Sequence, residues 1–231
     1  MGRKRITKKQ LKEDAFVSAS FEAGHFIQEN MSRIIMIGVG VIILAGMVWM
    51  YVNNRRVRSS EAALAMYQAQ NIYANGQYAL AASDFDLVAE DHAGTVSGDK
   101  ALFFAGDAHY KAGDYDQALV RFEQCRDKLS SSDPLLLNAV TGQAACYEQL
   151  ENLEKAIEYY SQALEMAAFD YQRQDILNAL SRVQAMAGRN SDALATMERI
   201  ITDYPDAPGT GMIIERKAEL EARYSTAVTG K

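Results

Sequence analysis

The sequence predicts an all-α protein, with a single transmembrane helix followed by an α-α solenoid of about four repeats and a C-terminal capping helix. Three observations carry that expectation. Residues 34–52, IIMIGVGVIILAGMVWMYV, hold no charged side chain. At ~1.5 Å per residue the run reaches about 28 Å, enough for the hydrocarbon core of a bilayer. Downstream, Ala81, Ala118, Ala156 and Ala193 recur in similar segments at steps of 37, 38 and 37 residues. A constant step in that range marks a helical repeat array, in which no unit can bury its own apolar face. Finally, the chain has only three prolines and is rich in strong helix formers.

Charge divides the chain. The net charge is −6, but residues 1–33 sum to +3 and residues 59–231 to −12. So acidic a repeat domain is a poor partner for nucleic acid, since phosphate neutralisation needs a basic surface. Two cysteines, Cys125 and Cys146, are too few for a disulfide scaffold, and two buried thiols are the favoured reading.

Taken in order, residues 1–33 form a basic cytoplasmic tail. Thr7 and Gln10 suit a capping box, and Leu11, Ala15, Ala19, Ala23 and Phe26 follow helical spacing. In the span, Trp49 and Tyr51 sit at the distal end, and Arg33, Arg55 and Arg56 bracket it. A cleaved signal peptide fits poorly: the apolar run is too long, the leader is long and acid-containing, and RRVRSSEAA offers no clean small-x-small site. More basic residues precede the span than follow it, which predicts a cytoplasmic N-terminus and an extracytoplasmic array. Residues 53–61 read as a linker, 62–208 as the array, and 209–231 as a capping helix with a fraying tail after Tyr224.

The repeat units cover about 62–95, 99–132, 137–170 and 174–207. The second is the clearest, with Gly106, Tyr110, Gly113, Tyr115, Ala118 and Phe122. Gly76 and Gly188 mark the same turn elsewhere, and Glu151 replaces the glycine in the third unit. These residues resemble the tetratricopeptide repeat: a small residue and an aromatic in the first helix, a Gly-Asp-Tyr turn, then Ala followed by an aromatic four residues on. The units depart from that pattern in lacking the first-helix tryptophan, and only the fourth carries the closing proline, Pro205. The layout of basic leader, anchor and degenerate repeats is similar to that of bacterial ancillary subunits of the Sec translocon, whose repeat domain is related to a periplasmic cell-division coordinator.

No catalytic constellation is present in the sequence. His25, His92 and His109 have no ligand partner at metal spacing, and no nucleophile elbow, P-loop or dinucleotide glycine triplet occurs. The expectation is therefore a non-enzymatic scaffold with no cofactor and no metal. The resemblance implies that a protein partner lies along the hollow surface lined by first helices. Candidate contacts are Met66, Gln70 and Tyr73, then Phe103, Asp107, Tyr110 and Lys111, then Thr141, Glu148, Asn178 and Arg182. The paired Lys and Asn that grip a chaperone's C-terminal carboxylate in some family members are absent, the matching positions being Met66, Gln70, Phe103, Asp107, Thr141 and Ala145. The second resemblance implies a membrane protein complex such as the Sec translocon, or periplasmic chaperones, as partners. The alternative is a cell-envelope or cell-division coordination scaffold acting through the same repeat domain.

Overall fold

The computed structural model describes the backbone of residues 8–229 and the side chains of residues 28, 30–33 and 35–223. Among these, no strand occurs. Nine helices follow one another: α1 (Lys8–Ala74), α2 (Tyr78–Asp91), α3 (Val96–Ala112), α4 (Tyr115–Lys128), α5 (Pro134–Gln149), α6 (Leu153–Met166), α7 (Asp170–Met186), α8 (Asn190–Asp203) and α9 (Thr210–Thr229). The chain divides into two compact units, Met1–Val57 and Arg58–Lys231. The expected capping box at Thr7 lies outside the described residues, as do the side chains of the amphipathic run 11–27.

Two boundaries differ from the sequence reading. Residues 53–61, expected to be a linker, are helical throughout as part of α1. The segment contains no glycine or proline to break the pattern. The tail expected to fray from Ser225 is likewise helical through Thr229. STAVT contains nothing that stops a helix, and the first glycine comes at 230.

Within the first unit, none of the apolar window is buried against protein. Ile42, Leu44, Trp49 and Tyr51 all stand exposed. Among the described residues this is the one helix long and apolar enough to cross a membrane.

Within the second unit, helices pair as four hairpins: the end of α1 with α2, α3 with α4, α5 with α6, and α7 with α8. Each hairpin turns in the same way. Gly76, Gly113, Glu151 and Gly188 all take positive φ, at 77°, 89°, 57° and 73°. At each, two backbone hydrogen bonds close the helix end, as in Asp114 N to His109 O (2.9 Å) and Gly113 N to Tyr110 O (3.1 Å). Asn152 N to Tyr147 O (2.9 Å) and Glu151 N to Glu148 O (3.1 Å) repeat the pattern at the third turn. These are Schellman closures, which need a left-handed residue and therefore favour glycine.

The second helices supply a ladder of small and large residues. Ala81, Ala118, Ala156 and Ala193 are fully buried, and Phe85, Phe122, Tyr160 and Met197 lie one turn later, also buried. Opposite them, the first helices offer Ala69, Gly106, Ala144 and Ser181, all buried. Small residues there let helix backbones approach. The Phe122 ring is wedged between two glycines: a Cβ on Gly106 would lie 2.8 Å from its Cδ1, and one on Gly142 would lie 2.5 Å from its Cζ. The core is correspondingly divided along the array. One cluster joins α1, α2 and α3, a second surrounds Phe122, a third joins α5, α6 and α7, and a fourth holds Leu177, Met197, Ile200 and Ile213. Ile213 comes from α9, which closes the C-terminal end, with Lys217 of α9 2.6 Å from Glu198 of α8. Stability in such an array is a sum of units and their interfaces.

Candidate protein-binding face of the first helices

Six of the residues singled out from sequence occupy two repeat positions on the first helices. Gln70, Asp107, Ala145 and Arg182 share one; Tyr73, Tyr110, Glu148 and Ala185 share the other, one turn later. Polar side chains at these positions bridge successive units. The Tyr73 hydroxyl donates to an Asp107 carboxylate oxygen. Arg182 Nη1 donates to Glu148 Oε1 at 2.5 Å, and the Tyr160 hydroxyl donates to Glu148 Oε2 at 3.2 Å. Between the second and third units the corresponding position is Ala145, which has no polar side chain. The Tyr110 hydroxyl therefore has no such bridge.

Around Asp107 the structure gathers a polar and aromatic patch. Lys111 Nζ is 3.9 Å from Asp107 Oδ2, on the same face of α3. It also stands 4.9 Å above the Tyr73 ring and 5.5 Å above that of Tyr78, within the range of cation–π attraction. Burial and the hydrogen bond to Asp107 raise the Tyr73 hydroxyl above its ordinary pKa. Tyr73 in turn holds the Lys111 ammonium above its usual range. Tyr110 is half-buried, 5.4 Å from the Tyr115 ring. Desolvation raises its hydroxyl, with Cys146 and Glu148 adding to the shift and Arg182 opposing it. Tyr115 reaches on to Gln149 Oε1 at 3.4 Å.

Several expected contacts are buried or already engaged within the array. Met66 is only 8% exposed and packs in the core of α1, α2 and α3; its side chain has no surface to offer. Glu148 is buried too, its carboxylate consumed by Arg182 and Tyr160. Phe103 packs against Phe122 (5.9 Å) and Phe104 (5.3 Å), so its ring serves the core. Thr141 bonds back to Leu137 O of its own helix at 2.9 Å. Asn178 is exposed and accepts from Arg216 of α9 at 3.4 Å. Gln70 is half-buried.

Sequence reading missed the bridges, although they had a signal. Tyr73–Asp107 and Glu148–Arg182 are both 34 residues apart, and Asp86–Arg121 and Glu154–Arg189 are both 35 apart. That spacing is one repeat less about three residues, so it links neighbouring units across their interface. At Asp86, Arg121 donates through Nε (2.7 Å) and Nη2 (3.2 Å), while His109 Nε2 lies 3.1 Å from Oδ2. His109 thus belongs to an interface between units. Among the described residues no group of three His, Cys, Asp or Glu is placed to hold a metal ion. Cys125 and Cys146 are free thiols, buried around Phe122.

Comparison with known proteins agrees with this geometry. The tetratricopeptide repeat model matches residues 68–124, 105–171 and 146–208. No curated protein sequence matches the chain at a significant level. Among solved structures, a putative kinesin light chain from Podosopora anserina with nearly identical TPR-like repeats is 18% identical. It superposes with a TM-score of 0.61 over 74% of this chain and 92% of that one. MamA AMB-1 is 15% identical, with a TM-score of 0.53 over 73% of this chain and 87% of the other. The apo form of RapI is 18% identical, with a TM-score of 0.56 over 74% of this chain and 55% of the other. At these identities the likeness concerns the fold alone. Repeats of this type generally act as protein-binding scaffolds rather than as catalysts. The turns, the alanine ladder and the matched residues together make this chain a member of the tetratricopeptide repeat family.

Proposed function

We propose that the chain is a membrane-anchored scaffold that holds a protein partner on the first-helix face of its repeat array. The observation that carries this reading is the inter-unit bridge missing at Tyr110. Tyr73 and Glu148 are committed to neighbours within the array, whereas the Tyr110 hydroxyl is left for an outside acceptor. Tyr110, Lys111, Asp107 and Tyr73 then form an aromatic and charged patch of the kind that dominates binding hot spots. Thr141, Asn178, Gln70 and Arg182 flank the patch on the same set of helices. Lys111 and Arg182, both about half-exposed, favour a partner segment that brings carboxylates or backbone carbonyls.

The span 34–52 is the anchor in this reading, supported by its length, its lack of charge and the exposed apolar side chains of its described residues. The basic leader faces the cytoplasm and the acidic array the other side of an inner membrane. The layout resembles that of the translocon's ancillary subunits, so the partner sought first is the protein-export machinery or a periplasmic chaperone. Division or wall assembly is the second reading, resting on the same repeat domain.

Purification of the full chain in mild detergent tests the partner. Export components that co-purify with the wild type and are lost on Tyr110→Ala and Lys111→Glu support the reading. Enrichment of septal or wall-assembly proteins instead favours the second one, and no enrichment over an unrelated anchored protein overturns both. A reporter active only outside the cytoplasm, fused after Lys231, is expected to be active; silence reverses the orientation.

A further inference from the structure

The array is closed at its C-terminal end by α9, but its first unit keeps an open interface. Each first helix uses one face to pack on the hairpin before it. In α3 that face is Ala101, Phe104, Ala105 and Ala108, packed with Ala81, Ala82, Phe85 and Val88 of α2. In α5 it is Ala139, Gly142, Gln143 and Cys146, the first and last of which cluster with Ala118 and Phe122 of α4. In α7 it is Ile176, Ala179, Leu180 and Val183, packed with Ala156, Ile157, Tyr160 and Ala163 of α6. The alanines at 101, 105, 108 and 139 are fully buried, and Ile176, Leu180 and Val183 nearly so.

The same positions in the first unit are Leu64, Tyr67, Gln68 and Asn71 of α1. No hairpin precedes them in this array. Leu64 and Tyr67 are both 60% exposed, and Gln68 and Asn71 are also exposed. Where the equivalent residues in α3, α5 and α7 are mostly small, here they are large, so the face stands out rather than receding. Solenoids normally end in a polar cap because such a face otherwise associates.

We propose that this face pairs with its own copy, making a parallel, two-fold dimer through the end of α1. Two features single out a second copy. First, the face carries no charge, although the unit it belongs to is strongly acidic. In an isologous contact each residue lies against or near its twin, so a charged face would repel itself and an uncharged one does not. Second, Leu64 and Asn71 are seven residues apart with Tyr67 between them, and Ser60 and Ala74 continue the same face at heptad spacing. All five are exposed. That is a two-helix seam with Leu64 and Asn71 at a and Ser60, Tyr67 and Ala74 at d. A single polar Asn at an a position fixes register and strand number in such seams. The pairing leaves the Tyr110 face unobstructed by its own sequence positions, and it stands independently of which partner that face takes.

Crosslinking through an introduced thiol tests it, because the two native thiols are buried. Asn71→Cys in the full chain, in native membranes and in mild detergent, is treated with a short bismaleimide. Glu158→Cys, on the exposed side of α6, is the control. The expected result is a chain–chain adduct at twice the monomer mass from Asn71→Cys and none above background from Glu158→Cys. In the same detergent, Leu64→Asp combined with Tyr67→Asp should halve the sedimentation mass while leaving the helical circular dichroism and thermal midpoint unchanged. Equal crosslinking from both cysteines, a monomeric wild type at micromolar concentration, or an Asn71→Cys adduct only with a different protein would overturn the second copy as occupant. Unfolding of the double aspartate variant leaves the decision to the Asn71→Cys comparison, which does not depend on it.

Discussion

At the scale of single residues, the turn at Glu151 is the most exposed test of the repeat. It adopts φ 57° where the other three turns have glycine. A left-handed L-residue carries a penalty of about 1–2 kcal/mol, partly offset in a glycine variant by greater freedom when unfolded. Glu151→Gly should therefore stabilise the array by about 1 kcal/mol, read from its urea midpoint. The thiols make a second prediction. Desolvation is the main cause that pushes both Cys125 and Cys146 from 9.0 up to about 12. Because the neutral form is favoured in the folded state, their stabilising share is complete below pH 9 and is lost as the pH rises toward 12. Native protein should show no thiol reactive to a colorimetric disulfide reagent at pH 7.5, and denatured protein two. Replacing both by alanine should shrink the fall in stability between pH 7 and pH 10.

At the scale of elements, the wedge of Phe122 between α3 and α5 decides how closely neighbouring units approach. Gly142→Ala would set a methyl 2.5 Å from ring carbon Cζ. The cost should be about 2 kcal/mol despite alanine's better helix propensity. Gly211→Ala, with nothing within 4 Å, should be neutral or mildly stabilising; thermal unfolding of the two variants compares them directly. Arg182→Ala should also destabilise, by about 2 kcal/mol, because it strands the buried Glu148 carboxylate with only Tyr160. Much of this level was legible in the sequence. The spacing of Ala81, Ala118, Ala156 and Ala193, the Gly76, Gly113 and Gly188 turns and the departure at Glu151 all express local rules of helix packing and closure. What was not legible is which face a first-helix residue presents. Helical spacing puts Met66 and Phe103 with the binding face, yet one lies in the core and the other packs on Phe122. A one-residue shift around a helix is about 100°, and apolar side chains occur on both faces. The unbroken helix through 53–61 was missed for a related reason: a charged, polar stretch reads as a connection, although nothing in it interrupts backbone hydrogen bonding.

At the scale of the whole molecule, an uncharged 34–52 span precedes an acidic array whose units are held by packed ladders and by polar bridges 34 or 35 residues apart. Those bridges occupy four of the polar groups expected to face a partner, Tyr73, Asp107, Glu148 and Arg182. Tyr110, with Lys111 beside it, has no such bridge, and it is there that a partner is expected. Site-specific photocrosslinking in native membranes measures this most directly, with a photoreactive residue placed at Tyr110 and, in a second strain, at Glu158 of α6. Discrete protein adducts are expected from position 110, absent from position 158 and diminished by Lys111→Glu. Adducts of equal yield from both positions, or none above background from position 110, would contradict it.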